Sequence, residues 1–362
     1  MAFLQVNKHS QILYFYFVIF ISLCSCHNAN SQQSQIRAKI QGWSGKVDFG
    51  FDILSNLFIN PTVGSGENRF NIGSSLNIQT IYNEGKFSWL NDLNIDYGIQ
   101  KNSTRRGDES NIEDNKAFKK NIDNLWVNDK FLYRTSYFSK FYYSADLFFN
   151  SQLTKTYEDN YITDITDSGQ PISNFLSPGL LQASLGLDFY PNDYWSIFVS
   201  PLSYKSILVL DDEIANNLAT DNAGDFLGSL HGNQFTRNTD GTINFQNYNN
   251  QFGAAVRITF KNEFSKRLFI YTNLLLFSNY GKEPEHIDVN WRNEISFSFF
   301  KGFRLSLLSS LNYDHDVFVQ ISDNDAPSGF SGFGRRISYS QQLVFKYSYN
   351  FDSNKKTIKL QR

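Results

Sequence analysis

The segment from Arg336 to Phe351 alternates apolar and polar residues along almost its whole length. In an extended strand, its Ser, Gln, Lys and Asn side chains would face one side and its apolar side chains the other. A strand of a soluble protein is usually about half this long, whereas a tilted strand needs about ten residues to cross a hydrocarbon core. The segment is therefore typical of a strand between lipid and water. Its apolar face would carry Ile337, Tyr339, Leu343, Phe345, Tyr347, Tyr349 and Phe351.

The composition favours membrane-crossing strands over membrane-crossing helices. The chain has 35 Phe and 20 Tyr, and its mean hydropathy is -0.38 although 41% of its residues are hydrophobic. Apolar residues must therefore be interleaved with polar ones. Beyond the N-terminal region, no segment stays apolar over the roughly 18 residues that a transmembrane helix needs.

The N-terminal residues have the layout of a signal peptide. A positive residue precedes the apolar run from Ile12 to Leu23, and small polar residues follow, so we expect residues 1–31 to be removed by cleavage after Ser31. Attachment of lipid to Cys26 in a bacterial lipobox is the alternative. Both readings predict export, and residues 32–45 would form a short periplasmic segment. Cleavage after Ser31 removes both cysteines, so we expect no disulfide and no thiol chemistry.

Period-two alternation recurs along the rest of the chain and predicts about twelve strands, an even number, as bacterial outer-membrane barrels have. The least certain strand is 268–280, which is apolar on both faces, so a buried strand or a helix would fit it equally well. The predicted strands are 46–59, 70–79, 87–97, 125–135, 141–152, 181–189, 194–210, 252–264, 268–280, 289–299, 303–312 and 336–351.

The predicted connections alternate strictly between tight turns and long polar loops. Outer-membrane barrels have short periplasmic turns and longer extracellular loops, whereas a soluble β-sandwich has no reason to keep this order. We therefore predict an all-β fold, a transmembrane antiparallel up-and-down β-barrel over residues 46–351. Residues 352–362 would form a basic periplasmic tail. The long loop from Phe226 to Tyr248 would act as a plug, bind a partner, or stay a mobile surface loop.

Several short motifs also resemble a known family, the Bacteroidota outer-membrane β-barrels filed as domain of unknown function 3078. The resemblance implies the outer membrane of a Gram-negative bacterium and contact with its lipid. It also implies insertion by the barrel-assembly machinery, which would recognise the aromatic residue Phe351 at the end of the last strand. The family brings no established activity. The motifs are Gly64-Ser65-Gly66-Glu67-Asn68, Ile172 to Pro178, Leu187 to Asp193, Phe198 to Leu202, Leu276 to Tyr280 and Asp288 to Trp291.

The polar faces of the predicted strands would line the lumen with charges of both signs. Two functions fit such a lining. Wall charges can select the cargo of a pore or a solute-binding channel, or they can pair across a narrow interior and close it, leaving a structural or partner-binding barrel. We favour the channel, for a small polar solute. The candidate lining residues are Asp48, Asp52, Asp92, Asp96, Lys130, Arg134, Asp146, Asp188, Arg257, Lys261, Arg292, Glu294, Arg304 and Lys346.

The sequence offers little support for other functions. It has no Gly-x-Ser-x-Gly elbow, so we do not expect an enzyme, and a barrel lipid hydrolase is the least favoured reading. It has no phosphate-binding or dinucleotide motif, so no cofactor is expected. The net charge of -2 and the lack of a basic stripe argue against nucleic acid binding. Asp314-His315-Asp316 could hold a cation, but alternation sends His315 to the opposite face from both acids, so no metal site is expected.

Overall fold

The computed structural model describes residues 41–56, 68–103, 117–136, 139–157, 160–164, 170–265, 267–322 and 330–352. The predicted signal peptide, most of the first family motif and the tail beyond Asp352 lie outside these residues. Among the described residues, no helix is long and apolar enough to span a bilayer.

Twelve antiparallel strands pair in chain order, and the first strand pairs with the last to close a barrel. The predicted fold is therefore confirmed. The strands are β1 Gly42–Asn56, β2 Asn68–Glu84, β3 Phe87–Ser103, β4 Lys119–Arg134, β5 Phe141–Ser151, β6 Gly179–Phe189, β7 Trp195–Leu208, β8 Tyr248–Glu263, β9 Leu268–Asn279, β10 Ile287–Phe300, β11 Phe303–Tyr313 and β12 Ser338–Asp352.

Strand bounds differ from the sequence prediction mainly where polar residues extend a strand beyond its alternating part. β1 begins at Gly42, within the segment predicted to precede the barrel, and β4 begins at Lys119, well before residue 125. β12 ends at Asp352, next to the predicted end at Phe351. The backbone ladder continues in these places because strand pairing satisfies N–H and C=O groups whatever the side chains are.

The two ends of the barrel differ in their connections. At one end, here called the turn end, the strands are joined by short turns such as those at Gly85 and Gly302, where φ is +59° and +85°. Glycine suits these positions because it has no Cβ to clash in the left-handed region. At the other end, here called the loop end, the connections are longer and several of them are folded.

The long connection between β7 and β8 is ordered rather than structureless. It contains a single helical turn, α1 Asp212–Ala215, which begins at the N-cap Asp211, and two small antiparallel strand pairs. Two further pairs lie in the connections from β5 to β6 and from β11 to β12. The paired segments are Leu218–Thr220 with Phe226–Ser229, Phe235–Arg237 with Ile243–Phe245, Thr156–Tyr157 with Pro171–Ser173, and Val319–Ser322 with Phe330–Gly334.

The outer face of the barrel is apolar and exposed, and aromatic side chains lie near the turn end. Trp43, for example, lies 5.3 Å from Tyr82 and 5.5 Å from Trp89, measured between ring centroids. A soluble protein rarely exposes apolar surface on this scale, whereas a bilayer covers such a belt and places aromatic rings at its interface. The exposed side chains include Phe49, Phe51, Phe131, Tyr133, Leu185, Leu187, Val199, Phe297, Phe299, Phe345 and Tyr347.

Candidate functional site

Two cavities lie in the polar interior that the described residues form. The larger one, here called the chamber, has a volume of about 800 Å³ and is lined mainly by charged and amide side chains of β1–β4 and β9–β12. Its lining includes Asn121, Asn312 and Ser340, which are exposed, so the chamber reaches the loop end. A smaller cavity of about 140 Å³ shares Gln79 and Asp92 with the chamber.

Four of the predicted lining residues form one buried network, here called the Asp188 network: Lys130, Asp146, Asp188 and Arg257. Lys130 Nζ lies 3.0 Å from Asp188 Oδ2, and Arg257 Nη1 lies 2.6 Å from Asp146 Oδ2. Asp188 is fully buried, and it also accepts hydrogen bonds from Ser144 and Ser196, at 2.6 and 2.8 Å. Each charge in the network has an opposite charge beside it.

A second group of paired charges lies where the first and last strands of the barrel meet. Asp48 in β1 accepts from Arg304 in β11 at 2.7 Å and lies 2.6 Å from Lys46. Lys346 in β12 lies 3.1 Å from Glu294 in β10. These ion pairs lie on the lumen side of the wall, near the backbone pairing of β1 with β12.

Phe269 explains why β9 is apolar on both faces. Its ring lies 5.4 Å from Lys46 Nζ and 5.6 Å from the guanidinium carbon of Arg304, measured to the ring centroid. An aromatic face inside a polar lumen is thus used to hold cations. The sequence left strand and helix open for this segment, and the structure shows a strand.

Four other predicted residues, here called the chamber charges, have no opposite charge within 4.0 Å among the residues that the structure describes: Asp92, Asp96, Lys261 and Arg292. Asp92 accepts from the amides of Asn77 and Gln79, at 2.9 and 3.3 Å. Arg292 Nε is buried and has no hydrogen-bond partner among the described residues. Asp92, Asp96 and Arg292 line the chamber, and Lys261 lines the small cavity below it.

Two of the chamber charges reach across the full width of the barrel. Lys261 Nζ in β8 donates to Gln79 Oε1 in β2 at 2.8 Å. Arg292 in β10 lies over the ring of Trp126 in β4, 4.8 Å from its centroid. Each of these strand pairs is six positions apart in the closed order of strands, so the two contacts span the lumen. These two contacts form a constriction on the turn-end side of the chamber.

Toward the turn end, a buried cluster occupies part of the interior. Leu132, Tyr142 and Tyr190 form this cluster. Arg134, a predicted lining residue, donates from Nε to the Tyr142 hydroxyl at 3.0 Å. Phe351, the predicted assembly signal, lies in β12 opposite Gly45 of β1.

At the loop end, Lys205 makes an ion-pair bridge that the sequence prediction missed. Its Nζ lies 2.6 Å from both Asp288 in β10 and Asp314 after β11. The pairing of β6 and β7 shifts register between Leu185 and Leu187, and this bulge reverses the inward parity of β7. Simple alternation places Lys205 on the lipid face, so no sequence signal short of predicting the bulge would have found it.

The model of one protein family matches residues 56–157. Its description is "Protein of unknown function (DUF3078)". The resemblance predicted from the sequence motifs is thereby confirmed. A comparison with curated proteins finds no match.

Solved structures that resemble this chain include three bacterial proteins. An outer membrane channel from Pseudomonas putida F1 is 10% identical, with a TM-score of 0.38 over 90% of this chain and 100% of that one. The translocator domain of the autotransporter NalP from Neisseria meningitidis is 9% identical, with a TM-score of 0.33 over 94% and 95%. The porin NanC is 4% identical, with a TM-score of 0.34 over 84% and 97%. Values this low carry no conclusion about what the chain does.

The candidate lining residues named from the sequence are all charged, whereas part of the chamber wall is uncharged. Amide side chains, among them Asn77 and Gln79, and the aromatic residues Trp126 and Tyr271 face the lumen beside the charges. Asn77 and Gln79 lie on the alternating polar face of their strand, which the alternation directs toward the lumen.

Proposed function

We propose that this chain is an outer-membrane barrel that binds small polar solutes in its chamber and passes them through the lumen. The observation that carries the proposal is that the chamber charges, three of which line the cavity of about 800 Å³, have no opposite charge within 4.0 Å among the described residues. The proposed orientation places the turn end in the periplasm and the loop end outside the cell. The barrel-assembly machinery then recognises the end of β12 at Phe351. No catalytic step is assigned to the chain.

The chamber charges support solute binding because a buried ion without a counter-ion beside it is costly. A charge that serves only to hold the barrel together is expected to have a partner, as every member of the Asp188 network has. Two acids and two bases with no opposite charge within 4.0 Å among the described residues can instead contact a solute. Cavities of about 300–1,000 Å³ are typical of sites for small molecules.

The proposed permeation path runs from the exposed rim through the chamber to the constriction. Lys261 and Arg292 are long side chains with several rotatable bonds, and they hold the constriction through Gln79 and Trp126. Side-chain rotation alone would therefore widen it, without movement of the strands. We propose that the arrangement described here is the closed or low-conductance state.

Single-channel recording from the purified protein in planar bilayers tests this function. The variant Lys261→Ala/Arg292→Ala is expected to give larger unitary currents than the wild type, because it removes both contacts across the lumen. Arg267→Ala is the matched control, since Arg267 is an exposed cation at the turn end. Its currents should equal those of the wild type. Absence of current from both the wild type and the double variant would contradict the proposal.

The second candidate is a structural or partner-binding barrel with a closed lumen. The Asp188 network and the Lys205 bridge favour it, because both tie distant strands together inside the barrel. Silent bilayers combined with full stability of the double variant would support this reading. Fractionation with a heat-modifiable gel shift tests the membrane location on which both candidates depend, and hydrolysis of lipid by the pure protein would contradict both.

A further inference from the structure

Three side chains of the kind that bind metal ions meet at the loop end. Glu283 and His286 lie in the connection between β9 and β10, and His315 follows β11. Glu283 Oε2 lies 3.0 Å from His286 Nδ1 and 3.5 Å from His315 Nε2. One nitrogen or oxygen atom from each residue lies within 4.8 Å of the other two.

We propose that Glu283, His286 and His315 form a binding site for a divalent transition-metal ion, with Zn²⁺ as the ion that fits best. Two imidazoles and one carboxylate form a ligand set that suits zinc and leaves one position for water. Bonds of about 2.0–2.2 Å in a tetrahedral site place ligand atoms about 3.3 Å apart. Two of the three separations are already near this value.

The two imidazole rings lie face to face, so rotation of the His286 ring is needed for both to bind one ion. They stack with centroids 3.8 Å apart and an angle of 10° between their planes. Two protonated rings at this separation would repel each other. Neutral imidazole is the form that binds a metal.

The surroundings of His315 also hold it in a metal-binding orientation. Its Nδ1 lies 3.2 Å from the Tyr313 hydroxyl, which leaves Nε2 directed toward Glu283. Its backbone N–H donates to Asp288 Oδ1 at 3.1 Å. Metal-binding histidines commonly have a hydrogen-bond partner on the other ring nitrogen, because that bond fixes the ring and its tautomer.

The backbone at Glu283 supplies an independent observation. Its φ is +47°, in the left-handed region that residues with a Cβ rarely adopt. His286 N–H donates to Glu283 O at 2.9 Å, so a tight turn brings the two side chains together. Unfavourable backbone conformations of this kind are found at functional sites, where ligand placement requires them.

The site differs from the one that the sequence suggested and rejected. The acids beside His315 are engaged elsewhere, since Asp314 contacts Lys205 and Asp316 contacts Lys282. The partners of His315 are therefore not its neighbours in the chain. They come instead from the connection before β10, which the closed sheet brings alongside.

Equilibrium dialysis of the full-length, detergent-purified protein against Zn²⁺ tests the proposal. We expect the wild type to bind one equivalent, and His286→Gln or His315→Gln to weaken binding by at least about tenfold. Glu285→Gln is the matched control, because Glu285 is an exposed carboxylate of the same connection outside the cluster. Its affinity for Zn²⁺ should equal that of the wild type.

A heat-modifiable gel shift will show that each variant is folded, so a loss of binding can be assigned to the site. No Zn²⁺ binding by the wild type would overturn the proposal. Binding that survives both histidine substitutions would do the same. Displacement of Zn²⁺ by a modest excess of Ca²⁺ would also overturn it, because calcium prefers oxygen ligands and would indicate a site made of carboxylates.

Discussion

The Asp188 network and the chamber charges contain the same residue types, two acids and two bases each, yet they differ in pairing. In the network every charge has an opposite charge within 4.0 Å, and Asp188 accepts two serine hydroxyls as well. In the chamber, amides and an aromatic ring take the place of the counter-ion. Charge composition alone therefore does not distinguish the part of a lumen that holds a barrel together from the part that faces a cavity.

The largest expected effect is on stability, from removal of the central acid of the network. Asp188→Ala leaves Lys130 buried without its nearest carboxylate, and breaking a buried pair in this way costs about 3–5 kcal/mol. Urea unfolding of the barrel in lipid vesicles measures the free energy of unfolding. Asp92→Ala is the matched control from the chamber, and its cost should be clearly smaller. Equal costs would show that the two regions do not differ.

A smaller, functional effect is expected from neutralising the acids of the chamber. Asp92→Asn/Asp96→Asn leaves Lys261 and Arg292 as the charges at the constriction, so the current should shift toward anions by several-fold in permeability ratio. Reversal potentials across a salt gradient measure this shift. Asp48→Asn is the comparison variant, since Asp48 is paired with Arg304 in the wall. A shift of the same size from that variant would break the distinction between paired and unpaired charges.

The third effect is local and concerns the folded connection between β7 and β8, which lies at the loop end beside the strands of the network. Burial lowers the pKa of His231 to about 4, whereas an exposed histidine has a pKa of about 6.5. Between these values the opened segment binds more protons than the closed one, so the closed segment loses stability as the pH falls through this window. Above about pH 6.5 its stability is independent of this group.

Hydrogen exchange of residues 226–237 measures this loss. Opening should become more frequent as the pH falls from 6.5 to 4, by up to about tenfold for each pH unit after correction for intrinsic exchange. His231→Leu should remove the dependence. The ion-paired core strands β5 and β6 should show no such change, and a parallel change there would mean that the whole barrel responds to acid.

Much of the fold could be predicted because strand alternation reports directly on the two solvents of the barrel wall. β12 was the clearest case, and its exposed Tyr339, Phe345 and Tyr347 lie on the predicted face. The lining residues followed from the same alternation. Their pairing could not be predicted, since Lys130 meets Asp188 and Arg257 meets Asp146 only through the closed order of strands.

Two features of the structure depart from simple alternation of side chains, each for a physical reason. The bulge in β7 requires glycine at the facing position 186, because a Cβ on that residue would clash with the Val199 carbonyl oxygen. The bulge also turns Lys205 inward. Sites built from loops, such as the cluster at Glu283, depend on which strand ends become neighbours. A sequence pattern with a period of two carries no information about that.

The ion pair between Asp48 and Arg304 has a consequence for assembly. The two residues are 256 positions apart along the chain, and their strands flank β12 at the point where the cylinder closes. Before closure, β1 and β12 would each expose an unpaired edge that another chain could join. An electrostatic contact between β1 and β11 therefore forms only with the correct terminal strand between them, and it favours closure of the cylinder over the addition of a foreign strand.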